Sequence, residues 1–155
     1  MIKIRPFALA AMVALHTHAA AALDPPQGRE IEERKDDLMR QLAICESGGH
    51  GGSERPIYGG GGIYAGRFQF TTRAVISYVR DRDGRVLSSN DALSLAHDYG
   101  QAAALAKYMI FVRGHFWNWP ACSHKLGLAR HAADIKAVTV KRTEVRTQKG
   151  ELDGD

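Results

Sequence analysis

Residues 48–66 contain nine of the 16 glycines of the chain, in the stretch GGHGGSERPIYGGGGIYAG. Glycine loses more conformational freedom on folding than any other residue, so this stretch interrupts helical structure. It is either a flexible linker, or a loop and hairpin in which the backbone approaches a ligand closely. The central IYGGGGIY favours a hairpin turn between two short apolar strands. We therefore expect a short glycine-rich β-hairpin.

The segment before the glycines has a helical pattern. Residues 29–45, REIEERKDDLMRQLAIC, place apolar side chains on one side at helical spacing and charged side chains on the other. These apolar residues are Ile31, Leu38, Leu42 and Cys45. We expect residues 23–37 to hold a linker and the start of this helix. The helix should end near Glu46, because Ser47 and two glycines follow.

Helical patterns return after the hairpin. The stretch GRFQFTTRAVISYV starts extended and continues as a helix capped by Thr71 or Thr72. Two further helical runs follow, capped by Ser89 or Asn90 and bent around Gly100. Expected core residues of this half are Val75, Tyr78, Val79, Leu93, Leu105, Met109 and Val112. The fold class predicted from these patterns is α+β and mostly helical.

The composition indicates one globular domain, since 45% of the residues are hydrophobic and 25% are charged. We assign a charged tail to residues 124–155. The apolar periodicity is lost after about Val140. Residues 141–155 are therefore expected to be disordered.

The first residues have the pattern of a signal peptide. Lys3 and Arg5 precede the apolar run PFALAAMVAL, and small residues follow it. We expect residues 1–22 to be removed by cleavage near Ala22. The apolar run is shorter than the roughly 20 residues of a membrane-spanning helix. The prediction is export to the periplasm or the extracellular space, with no stable membrane insertion after cleavage.

The charge of the chain argues against nucleic acid as a partner. Loss of Lys3 and Arg5 with the signal peptide leaves 19 basic and 17 acidic residues, a net charge of +2. No basic stripe interleaved with aromatic residues is present in the sequence. So small an excess suits ordinary solvated surface charge, or mild attraction to an anionic polymer such as a cell wall.

The two cysteines are interpreted in the light of export. In an oxidising compartment, Cys45 and Cys122 most economically form one disulfide. The alternative is a metal site completed by His50, His115 or His124. These residues show no paired metal-ligand spacing, so we expect neither a metal nor a cofactor.

Glu46 lies at the expected end of the first helix. The negative end of the helix dipole and partial burial would both raise the pKa of its carboxyl group. A raised pKa suits a general acid that must be protonated near neutral pH, as glycoside cleavage requires. The alternative is a surface glutamate that merely ends a helix.

Three motifs in order, AICESGG, GIYAGRFQF and QAAALAKYMIFVRGHFWNWPACS, extend this interpretation. Together they resemble the transglycosylase-like domain of resuscitation-promoting factors, in the lysozyme-like superfamily. The resemblance covers residues 38–123 and implies a lysozyme-like domain. It also implies that Glu46 is the catalytic acid of peptidoglycan cleavage and that Cys45 bridges to Cys122.

The same resemblance implies roles for other residues. Gln69 matches a glutamine that lines the sugar cleft, Tyr64 matches a tyrosine that contacts glycan, and Ser47 is assigned with them to substrate binding. Phe68 and Phe70 are expected to pack inward. Trp117 and Trp119 are expected to pack in the core beside the disulfide.

The expected activity is cleavage of the β-1,4 bond between N-acetylmuramic acid and N-acetylglucosamine by a monomer. Glu54 is the best candidate for the second carboxylate of a hydrolase, but no motif places it opposite Glu46. A lytic transglycosylase needs only one carboxylate, so this mechanism is preferred. The alternatives are a lysozyme-type hydrolase and an inactive peptidoglycan-binding module.

Overall fold

The computed structural model describes the backbone of residues 25–49 and 56–152, and the side chains of residues 28–49 and 56–140. The predicted signal peptide and its cleavage near Ala22 lie outside these residues. So do His50, Glu54 and the last three residues of the predicted disordered tail.

Helices dominate the described residues, and one small antiparallel sheet accompanies them. This arrangement confirms the predicted α+β, mostly helical class. The helices are α1 (Pro25–Glu46), α2 (Thr72–Asp83), α3 (Ser89–His97), α4 (Tyr99–Lys107), α5 (Pro120–Leu126) and α6 (Leu128–Leu152). The strands are β1 (Tyr58–Gly59), β2 (Tyr64–Ala65) and β3 (Phe70–Thr71). Two 3₁₀ turns cover Gly60–Gly62 and Phe116–Asn118, and a π turn covers Tyr108–Val112.

Helix α1 begins earlier than the sequence predicts and ends where expected. It starts at Pro25, within the predicted linker, because proline is tolerated in a first turn where its missing N–H has no partner. It ends at Glu46. The backbone N–H of Gly49 donates to the carbonyl oxygen of Ile44 (2.9 Å), and Gly48 and Gly49 both have positive φ. This glycine-based cap closes the helix as the sequence indicates.

The predicted hairpin is present, with a third strand beside it. Strands β1 and β2 pair with Tyr58 opposite Ala65, and β2 and β3 pair with Tyr64 opposite Thr71. All three glycines of the 3₁₀ turn between β1 and β2 have positive φ. The sheet packs on α3 through the turn after β2. A Cβ atom at Gly66 would collide with the carbonyl oxygen of Ala96, so this close approach requires glycine.

The helix starts are set by side-chain caps. Thr71 Oγ1 accepts from the N–H of Ala74 at 3.1 Å, as predicted. Helix α3 is capped by Ser88 instead of Ser89 or Asn90, because Asp91 lies three residues on and completes a capping box. The break between α3 and α4 falls at Asp98 instead of Gly100. The Asp98 carboxylate accepts from the N–H of Gln101 and so caps α4.

The core draws residues from all six helices and from the sheet. Its largest fully buried side chains are Phe68, Met39, Leu42, Leu105, Met109, Ile110, Leu128, Val75 and Val79. Predicted Tyr78 and Leu93 are only partly buried. The prediction for Val112 is wrong, since 69% of this residue is exposed. The π turn widens the end of α4 and changes the direction of each later side chain, which a regular helical repeat does not anticipate.

Helix α6 extends further than the sequence predicts. Its first turns are anchored in the core by Leu128 and Ile135. The backbone then stays helical to Leu152, whereas residues 141–155 were expected to be disordered. Lys, Arg, Glu and Gln, which are good helix formers, are frequent in this stretch and sustain a helix that has already begun. Among the described helices, none is long and apolar enough to cross a membrane.

Candidate active site

Glu46 is the last residue of α1, and its side chain is partly buried. Burial raises the pKa of its carboxyl group above the ordinary 4.5. Within the described part of the chain, no side chain forms an ion pair with this carboxylate and no group donates a hydrogen bond to it. Nothing among these residues therefore offsets the loss of solvation, and the negative end of the α1 dipole acts in the same direction.

The residue before Glu46 forms the predicted disulfide. Cys45 and Cys122 are 77 positions apart in sequence and 6.0 Å apart between their Cα atoms. This bond confirms the predicted pairing, and its two sulfurs are not available as metal ligands. It ties the last turn of α1 to α5, so the backbone that carries Glu46 is fixed to the end of the predicted domain. On the loop-entropy model, a disulfide that closes a loop of this length stabilises the folded protein by about 4 kcal/mol.

Gln69 lies in the turn between β2 and β3 with an unusual backbone. Its φ of 48° makes it the one described non-glycine residue in the left-handed region. Its side-chain Nε2 donates to the carbonyl oxygen of Gly66 at 2.7 Å. On the other side, Gln69 Oε1 occupies the space that a Cβ atom at Gly59 would fill. The amide is thus held across the sheet, against β1.

A buried hydrogen bond connects this turn to the disulfide region. Trp119 is 2% exposed, and its indole Nε1 donates to the carbonyl oxygen of Phe68 at 2.7 Å. The Trp119 ring also packs on Phe70, with 5.6 Å between the centroids. Cys122 lies one turn further along α5. Glu46 and Gln69 share no hydrogen bond, but the disulfide and this indole link their two backbone segments.

Tyr64 is exposed on β2 and its ring covers Gly60. The Tyr64 residue is 42% exposed, and a Cβ atom at Gly60 would lie 2.7 Å from the ring atom Cδ2. Tyr58, which was not among the predicted site residues, is 54% exposed, and its ring and the His97 imidazole meet edge to face with 4.8 Å between the centroids. The sequence could have indicated Tyr58, because the same Ile-Tyr pair stands on both sides of the four glycines. The hairpin therefore presents two tyrosines to solvent.

Ser47 is buried, whereas a residue that binds substrate in an open cleft would be exposed. It is 7% exposed, and its hydroxyl has no hydrogen-bond partner among the described residues. Its role in binding substrate stays a prediction.

The predicted core packing is confirmed for Trp119, which is buried, and is wrong for Trp117, which is 59% exposed. Phe68 and Phe70 are buried as expected.

A surface pocket of about 540 Å³ lies apart from the predicted site residues. It is formed by the α2–α3 loop, α3 and the start of α4, and its polar lining includes Arg85, Asp91 and Gln101. None of the residues that the sequence predicts for catalysis or substrate binding lines this pocket. The pocket is therefore not the predicted site. Glu46 and Gln69 are connected through the disulfide and the Trp119 hydrogen bond, and Glu54 lies outside the described residues.

Comparisons with protein-family models, with curated proteins and with solved structures found no match for this chain.

Proposed function

We propose that this protein cleaves the β-1,4 bond between N-acetylmuramic acid and N-acetylglucosamine in peptidoglycan, as a lytic transglycosylase. The observation that carries the proposal is the Glu46 carboxyl group, which is partly buried, has a raised pKa and has no partner among the described residues. A carboxyl group in these conditions stays protonated at a higher pH than a solvated one and can donate its proton to a leaving oxygen. The three-motif resemblance adds the substrate class.

The mechanism needs one carboxyl group. Glu46 donates its proton to the glycosidic oxygen as the bond from that oxygen to muramic C1 breaks, and the N-acetyl group of the substrate stabilises the cation that develops at C1. The ionised Glu46 then accepts the proton of the muramic C6 hydroxyl as O6 bonds to C1. A 1,6-anhydro ring closes, and Glu46 is again protonated. No water is consumed.

The surroundings of Glu46 support precise placement of the substrate. The Cys45–Cys122 bond fixes the end of α1, and the indole of Trp119 fixes the turn that carries Gln69. In the proposed complex, Gln69 and exposed Tyr64 contact the glycan, since an amide and an aromatic face suit the polar edge and the apolar face of a sugar. Catalysis gains from such fixed positions because less freedom is lost when the substrate binds.

The proposed place of action is outside the cytoplasm, in the periplasm or the extracellular space, with peptidoglycan strands as the partner. Two features support this location. The first 22 residues have the charge and apolar pattern of a signal peptide. The disulfide is of a kind that persists in oxidising compartments. We propose a monomer that needs no cofactor.

Mass spectrometry of the muropeptides released by the purified protein tests this function. A lytic transglycosylase releases products that end in 1,6-anhydro-muramic acid. Products with reducing ends would show that water, and not the muramic C6 hydroxyl, attacks C1. The protein would then be a lysozyme-type hydrolase. Sedimentation with peptidoglycan without any release would make it a binding module and would contradict the proposed activity.

A further inference from the structure

Trp117 forms an exposed aromatic surface that the proposed reaction does not use. The residue is 59% exposed, although core packing was expected for it. Its indole contacts the imidazole of His115, with 4.2 Å between the ring centroids and 41° between the ring planes, and the Phe116 ring lies edge to face with it at a centroid distance of 6.0 Å. A large apolar ring that is positioned by two ring contacts and is more than half exposed is suited to stacking with a ligand.

The imidazole under Trp117 is itself held in place by hydrogen bonds. The amide Nδ2 of Asn118 donates to the carbonyl oxygen of His115 at 2.9 Å and to the hydroxyl of Tyr78 at 3.2 Å. Both amide hydrogens are then used. The Tyr78 hydroxyl, which accepts from Asn118, can donate its own hydrogen to Nδ1 of His115, 2.8 Å away. The support for the indole is therefore a fixed network.

The same network leaves one polar group unused. Because Asn118 donates through its nitrogen, its Oδ1 is oriented away from those two partners and accepts no hydrogen bond from another described residue. Asn118 is exposed. An open indole with a free amide acceptor on the next residue combines an apolar face with a polar edge. A sugar ring of a glycan has the same combination, with C–H groups on its face and hydroxyl or N-acetyl groups at its edge.

We propose that Trp117 is a stacking site for a sugar of a β-1,4-linked chain of N-acetylated amino sugars, separate from the bond that is cut. This inference rests on the proposed function, since it makes the surface a second contact with the same polymer. The surroundings favour a glycan over a protein partner. Stable protein interfaces bury on the order of 1,000 Å² or more around an apolar centre, whereas Trp117 has one apolar ring, Phe116, and two polar residues, His115 and Asn118, next to it.

The position of Trp117 along the chain suits contact with a long strand. It lies two residues before Trp119, so their Cα atoms are within about 7 Å of each other. Trp119 is bonded to the carbonyl oxygen of Phe68, next to Gln69. A strand bound beside Gln69 is therefore a short distance from the segment that carries Trp117. Binding at both places holds a polymer more tightly than either contact alone.

Binding of a β-1,4-linked tetramer of N-acetylglucosamine to the purified full chain tests the proposal, in a Glu46→Gln background so that cleavage does not contribute. Trp117→Ala should weaken binding about tenfold or more, as expected for a central aromatic contact. Trp117→Phe should retain most of the affinity. The matched control is Val112→Ala, which shortens another exposed apolar side chain and should leave the affinity unchanged.

Iodide quenching of tryptophan fluorescence gives a second measurement that needs no destabilising variant. The chain has two tryptophans, and Trp119 is 2% exposed, so iodide should reach mainly Trp117. The tetramer should protect the wild-type signal from iodide. Unchanged quenching, or unchanged affinity in folded Trp117→Ala, would overturn the proposal. If Trp117→Ala alters only self-association in sedimentation, the surface is a contact between copies of the chain and the proposal is wrong.

These readouts are independent of the chemical step. If Glu46→Gln cleaves peptidoglycan normally while Trp117→Ala binds the tetramer weakly, the assignment of the acid fails and the stacking site stands. If Glu46→Gln is inactive and Trp117→Ala binds as the wild type does, the stacking site fails alone.

Discussion

The indole nitrogen of Trp119 donates a hydrogen bond to the carbonyl oxygen of Phe68, 51 positions earlier in the chain, at 2.7 Å. Both residues are buried, so neither the indole N–H nor the carbonyl group can form a hydrogen bond with solvent water instead. The bond joins the residue just before α5 to the turn between β2 and β3. Together with the packing of the Trp119 ring on Phe70, it connects the disulfide end of the domain to the segment that carries Gln69.

Replacing Trp119 by phenylalanine should lower both stability and activity. The buried carbonyl group of Phe68 would lose its donor, which typically costs about 1–3 kcal/mol. Denaturant unfolding measures the loss of stability, and release of soluble muropeptides measures the activity. The matched control is Trp117→Phe. The Trp117 indole makes no buried hydrogen bond, so the stability of this variant should stay near that of the wild type. Equal stability of the two variants would show that the Phe68 contact is unimportant.

Removal of the disulfide should destabilise the domain by up to about 4 kcal/mol. Cys122→Ser frees the last turn of α1 from α5, so peptidoglycan cleavage should fall as well, since Glu46 follows Cys45. The double variant Cys45→Ser with Cys122→Ser should resemble the single variant, because one bond is lost in both. Two free thiols in peptide mapping of unreduced protein would contradict the pairing.

Gly59 and Gln69 should behave as a coupled pair. The backbone of Gly59 is extended and tolerates alanine, so the obstacle to Gly59→Ala is the side-chain oxygen of Gln69. Gly59→Ala should displace that side chain from Gly66 and lower stability by about 1 kcal/mol, the value of a typical hydrogen bond. Cleavage should fall with it. In a Gln69→Ala background the same change should have almost no further effect on stability, and additive losses in the double variant would contradict the contact.

The raised pKa of Glu46 has a defined effect on stability. A carboxyl group whose pKa is higher in the folded protein contributes stability below its unfolded pKa, and the contribution is lost as pH rises through the folded pKa. The wild type should therefore lose stability relative to Glu46→Gln from about pH 4.5 upward. Denaturant unfolding of the two proteins over pH 3.5–8 measures this difference. A difference that does not depend on pH would show that folding does not raise the pKa of Glu46.

Sequence alone predicted the features that depend on local chemistry. The end of α1 at Glu46 follows from the glycines after it, the hairpin from IYGGGGIY, and the cap of α2 from Thr71. The disulfide was predicted because the chain has only two cysteines and its first residues have the pattern of a signal peptide.

The features that sequence missed depend on geometry that no local pattern encodes. The π turn at Tyr108–Val112 exposes Val112, although a regular helix would bury it. Trp117 lies in a 3₁₀ turn, so it faces solvent while Trp119, two residues on, is buried. The positive φ of Gln69 and its contact with Gly59 arise from the packing of the sheet. Neither can be predicted from the two residue types.

The rate of peptidoglycan cleavage by Glu46→Gln tests whether Glu46 is the catalytic acid. Glutamine keeps the shape of the side chain but has no proton to transfer. General acid catalysis is typically worth roughly 10²–10⁴-fold, so muropeptide release should fall by that factor. Folding and sedimentation with insoluble peptidoglycan should be retained, and Glu33→Gln, at an exposed position of the same helix, should be fully active. A folded Glu46→Gln protein that cleaves near the wild-type rate would show that Glu46 is not the acid and would make Glu54 the next candidate.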